Sequence, residues 1–347
     1  MSEIDIDFVI PWVDGRDSKW EGEKNKYLEI DKIEPREAIN DESKASIIDS
    51  DDNRFRDWDI LKYWFRSVEV NAPWVRKIHF ITYGHLPDFL NVNNPKLNIV
   101  KHTDYIPDEY LPTFSSHTIE LNMHRINGLA EHFVYFNDDF FINTKIDKNT
   151  FFLNGKPRYE ALEGIVSSSD INEIYWHIIM NNMSIINSKF NKRAVYKNHF
   201  WKWINLKYGR ETLRNLCLLP WPNFGSIVNR HVAVPFLKST IEDVWNNEYQ
   251  ELNKTSMNKF RSITDVNQYL FRYWDIVRGN FIPTKNKGMA YHMSSCDIQQ
   301  VLTDITDEIH DVICINDGPE LEDFENKKKI ICETFEKRYP KKSSFEI

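Results

Sequence analysis

No stretch of this 347-residue chain stays apolar for the ~20 residues that a membrane-crossing helix needs. No basic run is longer than Lys327–Lys329, and Asp plus Glu outnumber Lys plus Arg by 52 to 44, giving a formal charge of −8. Neutralising nucleic-acid phosphates takes a basic stripe, so no nucleic-acid partner is expected. The opening residues, MSEIDIDFVIPWV, carry acids where a secretory signal carries bases, and a soluble, cytoplasmic protein is expected. Cysteine is scarce: Cys217, Cys296, Cys314 and Cys332 include no C-x-x-C pair, which leaves no zinc ribbon and no disulfide framework. Four buried free thiols are expected instead. Without a signal, the sequons at Asn182 and Asn253 carry no weight.

Apolar material is plentiful, with 41% hydrophobic and 14% aromatic residues, enough for a folded globular core. Residues 6–13, IDFVIPWV, read as a buried strand that delivers the polar loop DGRD. Residues 57–70 read as a helix stopped by Asn71-Ala72-Pro73, 77–84 and 97–102 as strands, 117–133 as a helix weakened at Gly128, and 133–142 as a strand. That order implies an α/β fold with a mostly parallel sheet flanked by helices, whose sites gather at the carboxyl ends of the strands. The polar segment 43–57 reads as a flexible loop over that edge. Apolar residues recur at helical spacing over 200–218, 239–252, 265–278 and 320–338, and 150–225 resists assignment. No repeat, low-complexity tract or Pro/Gly linker divides the chain. The expected organisation is an α/β half, 1–150, and a mainly helical half, 151–347, packed on it to complete one continuous domain.

Several residues could carry chemistry. Asn137-Asp138-Asp139 puts two carboxylates beside an apparently buried strand, where like charges repel unless a cation intervenes. Hard oxygen ligands suit Mg²⁺ or Mn²⁺. A hairpin turn built from Asn and Asp is the plain alternative. Asp14-Gly15-Arg16-Asp17 follows the first strand; its glycine permits close approach of a bound group, and a plain acidic turn is again the alternative. His117, Glu120 and His124 share a helical face without forming H-E-x-x-H, and the helix start near Ser115-Ser116 could hold a phosphate oxygen. His231 and Arg261 offer a near-neutral base and a forked cation, groups that phosphoryl transfer uses, but spacing alone does not unite them.

These pieces, in this order, resemble the Stealth family of phosphotransferases, which includes bacterial capsular polysaccharide enzymes and the animal N-acetylglucosamine-1-phosphotransferase. Four blocks carry the resemblance. They are IDFVIPWVDGRDSKW (6–20), the region from about Arg54 to Ile142, HVAVPFLKSTIEDVW with NKFRSITDVNQYLFRYW, and CINDG (314–318) with the terminal KSSFE. The stretch 150–225 matches no block. The resemblance implies a nucleotide-sugar-binding core similar to the GT-A type. It implies transfer of a sugar 1-phosphate from a UDP-sugar to a sugar hydroxyl of a polysaccharide or lipid-linked oligosaccharide, with release of UMP, at the inner face of the membrane. Carried over, the site is Asp14, Gly15, Asp17, Asn316 and Asp317 for substrate, Asp138, Asp139 and Asp317 for the metal, and Asp138, Asp139, His231 and Arg261 for catalysis. His231 would act as base, phosphate contact or nucleophile. The rivals are a glycosyltransferase that releases UDP and a non-catalytic carbohydrate-binding subunit.

Overall fold

The structure, a computed structural model, describes residues 4–33, 57–168, 170, 173–318 and 321–347. All of the segment 43–57 except Asp57 lies outside them. Strand alternation builds the central sheet. In β1 (Ile6–Pro11), Ile6, Phe8 and Ile10 join the core on one face of the sheet and Val9 the core on the other, the pattern of a strand buried on both sides. Helices α1 (Ser18–Ile33) and α2 (Leu61–Asn71) precede β2 (Ile78–Thr82) and β3 (Leu97–Lys101). The short α3 (Ser116–Leu121) precedes β4 (His132–Tyr135). These strands run parallel in the order β4-β1-β2-β3.

The segment 133–142 is not one strand. It divides into β4 and β5 (Phe140–Ile142), which belong to different sheets, because an apolar run of that length cannot show where the chain changes partners. The expected helix over 117–133 is likewise cut short. It ends at Leu121 and passes through a 3-10 turn, Met123–Arg125, to Gly128 at φ +75°, where the missing Cβ permits the left-handed bend.

The second half is less purely helical than its periodicity suggests. Two short ladders, β6 (Phe152–Leu153) with β7 (Lys156–Tyr159) and β8 (Glu163–Gly164) with β9 (Ser226–Ile227), flank α4 (Ile174–Lys189), α5 (Lys192–Trp203) and α6 (Thr212–Leu218). Next, β10 (Val234–Leu237) adds antiparallel to β4 and closes the central sheet. Helices α7 (Lys238–Asn247), α8 (Tyr249–Met257) and α9 (Tyr269–Val277) follow, and β11 (Ile282–Pro283) pairs with β7. Last, β12 (Gly288–His292) and β13 (Val312–Asn316), joined through α10 (Ile298–Asp307), lie parallel, while β13 pairs antiparallel with β5 and α11 (Phe324–Arg338) packs on that sheet through Phe335 against Phe141. Both multi-stranded sheets that frame the cavity therefore take strands from either side of residue 150.

Three local arrangements explain sequence features. The terminal KSSFE block is a clasp: Phe345 is buried against Phe65, and Arg66 of α2 donates Nε and Nη2 to the two oxygens of Glu346, each at 2.8 Å. Of the four cysteines only Cys314 is buried; Cys217 lies on the exposed side of α6, and Cys296 and Cys332 are half-buried. Asn182 is fully buried and donates to Asn267, which removes it as a surface sequon.

Asp7 is the polar exception inside β1. Fully buried, it accepts hydrogen bonds from Arg76 Nε and the Ala130 N–H, each at 2.8 Å, and lies 2.9 Å from His79 Nε2. Burial alone would raise its carboxyl, but these partners outweigh it and hold the group below the usual carboxylate range. A depressed folded value stabilises the fold at pH above the ordinary ~3.9, and that contribution is lost as acid carries the pH down through the folded value. Asp7→Ala strands the facing imidazole and guanidinium and is expected to cost about 3 kcal/mol in urea unfolding at neutral pH. The gap between mutant and wild type should narrow as the pH falls below 4.

Candidate active site

The carboxyl ends of β1, β4 and β13 open on one cavity of about 500 Å³. β1 contributes Trp12 and Val13, the β4–β5 crossing contributes Asn137, Asp138 and Asp139, and β13 contributes Ile315 to Gly318. Ser116, His117 and Glu120 of α3 line another wall with Arg261, and Asn267, Gln268 and Tyr269 at the start of α9 continue it. His231 closes the side nearest β10, and α4 supplies Ile174, Tyr175 and Ile178. The location agrees with the rule that open α/β sheets bind ligands outside the carboxyl ends of their strands.

The Asn137-Asp138-Asp139 segment is no hairpin turn, since β4 and β5 do not pair with each other; it is a crossing between sheets. Its position is fixed from the second sheet, because the Ile315 N–H donates to the Asp139 carbonyl at 2.9 Å and the Cys314 thiol donates to Asp139 Oδ2 at 3.2 Å. Burial, reinforced by the charge of Asp138, pushes the Asp139 carboxyl up to about 7. Asp138 is also raised by its crowded surroundings, although it opens onto the cavity, where water moderates the effect. Burial, then the adjacent Asp139, hold the Cys314 thiol well above its usual range, so it serves as a neutral donor.

Asp139 Oδ1 is buried and has no hydrogen-bond partner among the described residues. A buried oxygen of this kind costs free energy unless something supplies positive charge. The donor set fits a cation: ligand atoms of Asp139, His231 and Cys314 lie within 4.8 Å of one another, with Asp138 and Asp317 on the same cavity. The three carboxylates on the cavity, Asp138, Asp139 and Asp317, supply hard oxygen donors beside this imidazole and thiol.

His231 sits at φ +51°, a left-handed conformation that costs a residue bearing a Cβ about 1 kcal/mol. The bend turns its ring edge-on to Phe140, with centroids 5.2 Å apart, and brings Nδ1 to 3.5 Å from the Tyr269 hydroxyl. Burial, then the neighbouring His292 and Arg261, pull the imidazole down to about 4, so it is neutral at physiological pH. The same residue also lines a second cavity of about 190 Å³, bounded by Asn229, Arg272, Thr284 and Asn286. Arg261 donates Nη2 to Ser116 Oγ at 2.7 Å beside the buried Glu120, whose carboxyl is raised by burial.

The cavity thus gathers Asp138, Asp139, His231, Arg261, Asn316 and Asp317. Asp14, Gly15 and Asp17 do not line it. Asp14 instead accepts from the Arg16 backbone at 2.9 Å and from its Nε at 3.1 Å, while Asp17 caps α1 by accepting from the Trp20 N–H at 2.8 Å. The DGRD motif is therefore a structured acidic turn, and Arg16 Nη2 reaches 3.1 Å across to Asp57, which does line the cavity. His117 and Glu120 face the cavity, whereas His124, beyond the end of α3, packs against Trp245 with its imidazole driven by burial down to about 3. Sequence reasoning missed Trp12, Asp57 and the α4 wall. Cys314 was signalled by its place in CINDG.

Residues 54–159 match the Stealth protein CR2, conserved region 2. Over 344 residues the chain is 41% identical to a capsular polysaccharide phosphotransferase, WcwK, of Streptococcus pneumoniae, covering 98% of each. It is 37% identical over 346 residues to an exopolysaccharide phosphotransferase, cps2G, of Lactiplantibacillus plantarum, covering 99% of this chain and 96% of that protein. It is 36% identical over 349 residues to a receptor polysaccharide phosphotransferase, WefC, of Streptococcus gordonii, covering 99% of each. Matches of this extent along the whole chain place it, as an enzyme of the phosphotransferase class, in the Stealth family.

Proposed function

We propose that the protein transfers a sugar 1-phosphate from a UDP-sugar to a hydroxyl of a growing cell-surface polysaccharide. In this reaction the acceptor oxygen forms a bond to the sugar-linked phosphorus, the bridging P–O bond breaks, and UMP leaves with that electron pair. The observation that carries the proposal is the convergence of Asp138/Asp139, Asn316/Asp317, His231 and Arg261, from four separate stretches of chain, on one cavity with an unpartnered buried carboxylate oxygen. The names of the relatives support a polysaccharide acceptor. Acidic residues beyond the ends of parallel strands support the GT-A-like character of the nucleotide-sugar core.

Each residue has a distinct task. Asp138 and Asp139, with Asp317, would hold Mg²⁺ or Mn²⁺, which when bound neutralises charge on the diphosphate. The forked Arg261 guanidinium, anchored on Ser116, stabilises negative charge spreading over the transferred phosphoryl oxygens. His231, neutral and lining both cavities, takes the proton of the acceptor hydroxyl. A bound diphosphate beside the ring raises its basicity toward the working pH. Asn316, whose Nδ2 lies 3.0 Å from His292 Nδ1, would contact the bound donor from the β13 side of the cavity.

Incubation with UDP-sugars, Mg²⁺ or Mn²⁺ and oligosaccharide acceptors should release UMP and give a phosphorus-31 diester signal; release of UDP would identify a glycosyltransferase instead. Excess EDTA should abolish turnover, and added Mg²⁺ or Mn²⁺ should restore it. Asp139→Ala should be inactive yet folded by circular dichroism. His231→Ala should lower kcat by about 10² or more, and Arg261→Lys, which loses the fork, by at least about tenfold. Near-normal rates in the Asp139 or His231 variant would remove those residues from the chemistry.

A further inference from the structure

The region that matched no sequence block contains a surface of unusual composition. Trp201, Leu206, Leu213, Leu216, Leu219 and Trp221 are 77%, 95%, 62%, 42%, 36% and 61% exposed. Single exposed apolar residues are ordinary, but a concentration of six in one short stretch marks an interaction surface. The stretch is compact: the end of α5 leads through the 3-10 turn Leu206–Glu211 directly into α6. Helix α6 is amphipathic in reverse. Its inward residue is the fully buried Asn215, which donates to the carbonyls of Ala161 and Trp203 at 2.7 Å each, while Leu213 and Leu216, three apart on one side, face water. Among the described residues, nothing buries these leucines.

The exposed charges within this stretch are cationic. Lys207, Arg210 and Arg214 are exposed among them, and the one carboxylate between Trp201 and Trp221, Glu211, accepts both its contacts from Arg230. This cationic, Trp- and Leu-rich face belongs to a protein of net charge −8. A second copy docking here through a two-fold axis would bring like charges together. An anionic lipid surface offers what both features need: headgroup charge for Lys and Arg, and an interfacial layer that accommodates tryptophan rings and leucine side chains.

We propose that the face formed by Trp201, the Leu206–Glu211 turn, α6 and Trp221 docks the protein on an anionic membrane surface. The proposal rests on this face alone and is independent of the chemistry assigned to the cavity. The test is co-sedimentation of the purified full chain with sucrose-loaded vesicles of phosphatidylcholine, either alone or mixed with phosphatidylglycerol. Wild type should pellet with the mixed vesicles, stay in solution with phosphatidylcholine alone, and be released by high salt. The double variant Trp201→Ser/Trp221→Ser and the triple variant Lys207→Glu/Arg210→Glu/Arg214→Glu, each with wild-type circular dichroism, should bind at least about tenfold more weakly. Val92→Ser, at an exposed apolar residue elsewhere, should bind as wild type does. Equal binding to both vesicle types, or unimpaired binding of both multiple variants, would overturn the proposal. So would lipid-free dimers, seen by analytical ultracentrifugation, that the tryptophan variant abolishes, since these would assign the face to a second copy of the chain.

Discussion

Between Tyr135 and Phe140 the chain leaves one sheet and enters another, and everything in the cavity is arranged around that crossing. β4 is held by β1 and β10, β5 by β13, and the residues between them bridge two separately anchored frameworks. Asp139 therefore cannot relax into solvent as a loop carboxylate does, whereas Asp138 beside it opens onto the cavity. The hydrogen bonds of Asp139 to Ile315 and Cys314 fix it further from the β13 side. One carboxylate oxygen, Asp139 Oδ1, is thus kept in a poorly solvated place by backbone geometry, and the electrostatic cost of that placement is what a cation would offset.

The same seam explains the rest of the site. Because β13 runs antiparallel to β5, its carboxyl end delivers Asn316 and Asp317 beside the amino end of β5, where Asp139 sits. Because β10 is antiparallel to β4, its amino end lies at the carboxyl end of β4, so the left-handed residue just before it, His231, arrives at the same rim. Ser116 and Arg261 meet across the opposite wall. Ligands from remote positions converge because strand direction dictates which end of each strand reaches the rim.

Much of this was legible in the sequence, and what was not has physical reasons. The parallel strands β1, β2 and β3 announced themselves as short apolar runs, and NDD stood out because carboxylates interrupted such a run. The division of 133–142 was invisible, since a strand that changes sheets keeps the same apolar composition on either side of the break. DGRD read as a ligand loop or a plain acidic turn, and its acids bond to Arg16 and to the first turn of α1. The helix around Glu120 and His124 failed because a 3-10 turn after Leu121 sends those residues in different directions. The α4 wall carries no motif at all; Ile174, Tyr175 and Ile178 are ordinary helix residues whose relevance exists only in three dimensions. Lys192 and Glu163, a fully buried pair at 2.7 Å that helps to order the same region, were equally silent as isolated letters.

The interleaving of the two sheets has a consequence for biosynthesis. β1, which frames the cavity on one side, leaves the ribosome long before β13 and the Phe345–Glu346 clasp that complete the other. A nascent chain can pair β1 with β2 early, but the rim stays half-built until nearly the whole polypeptide has emerged. Competence is therefore acquired late and all at once, and a chain stalled before β13 would present acidic residues without the partners that organise them.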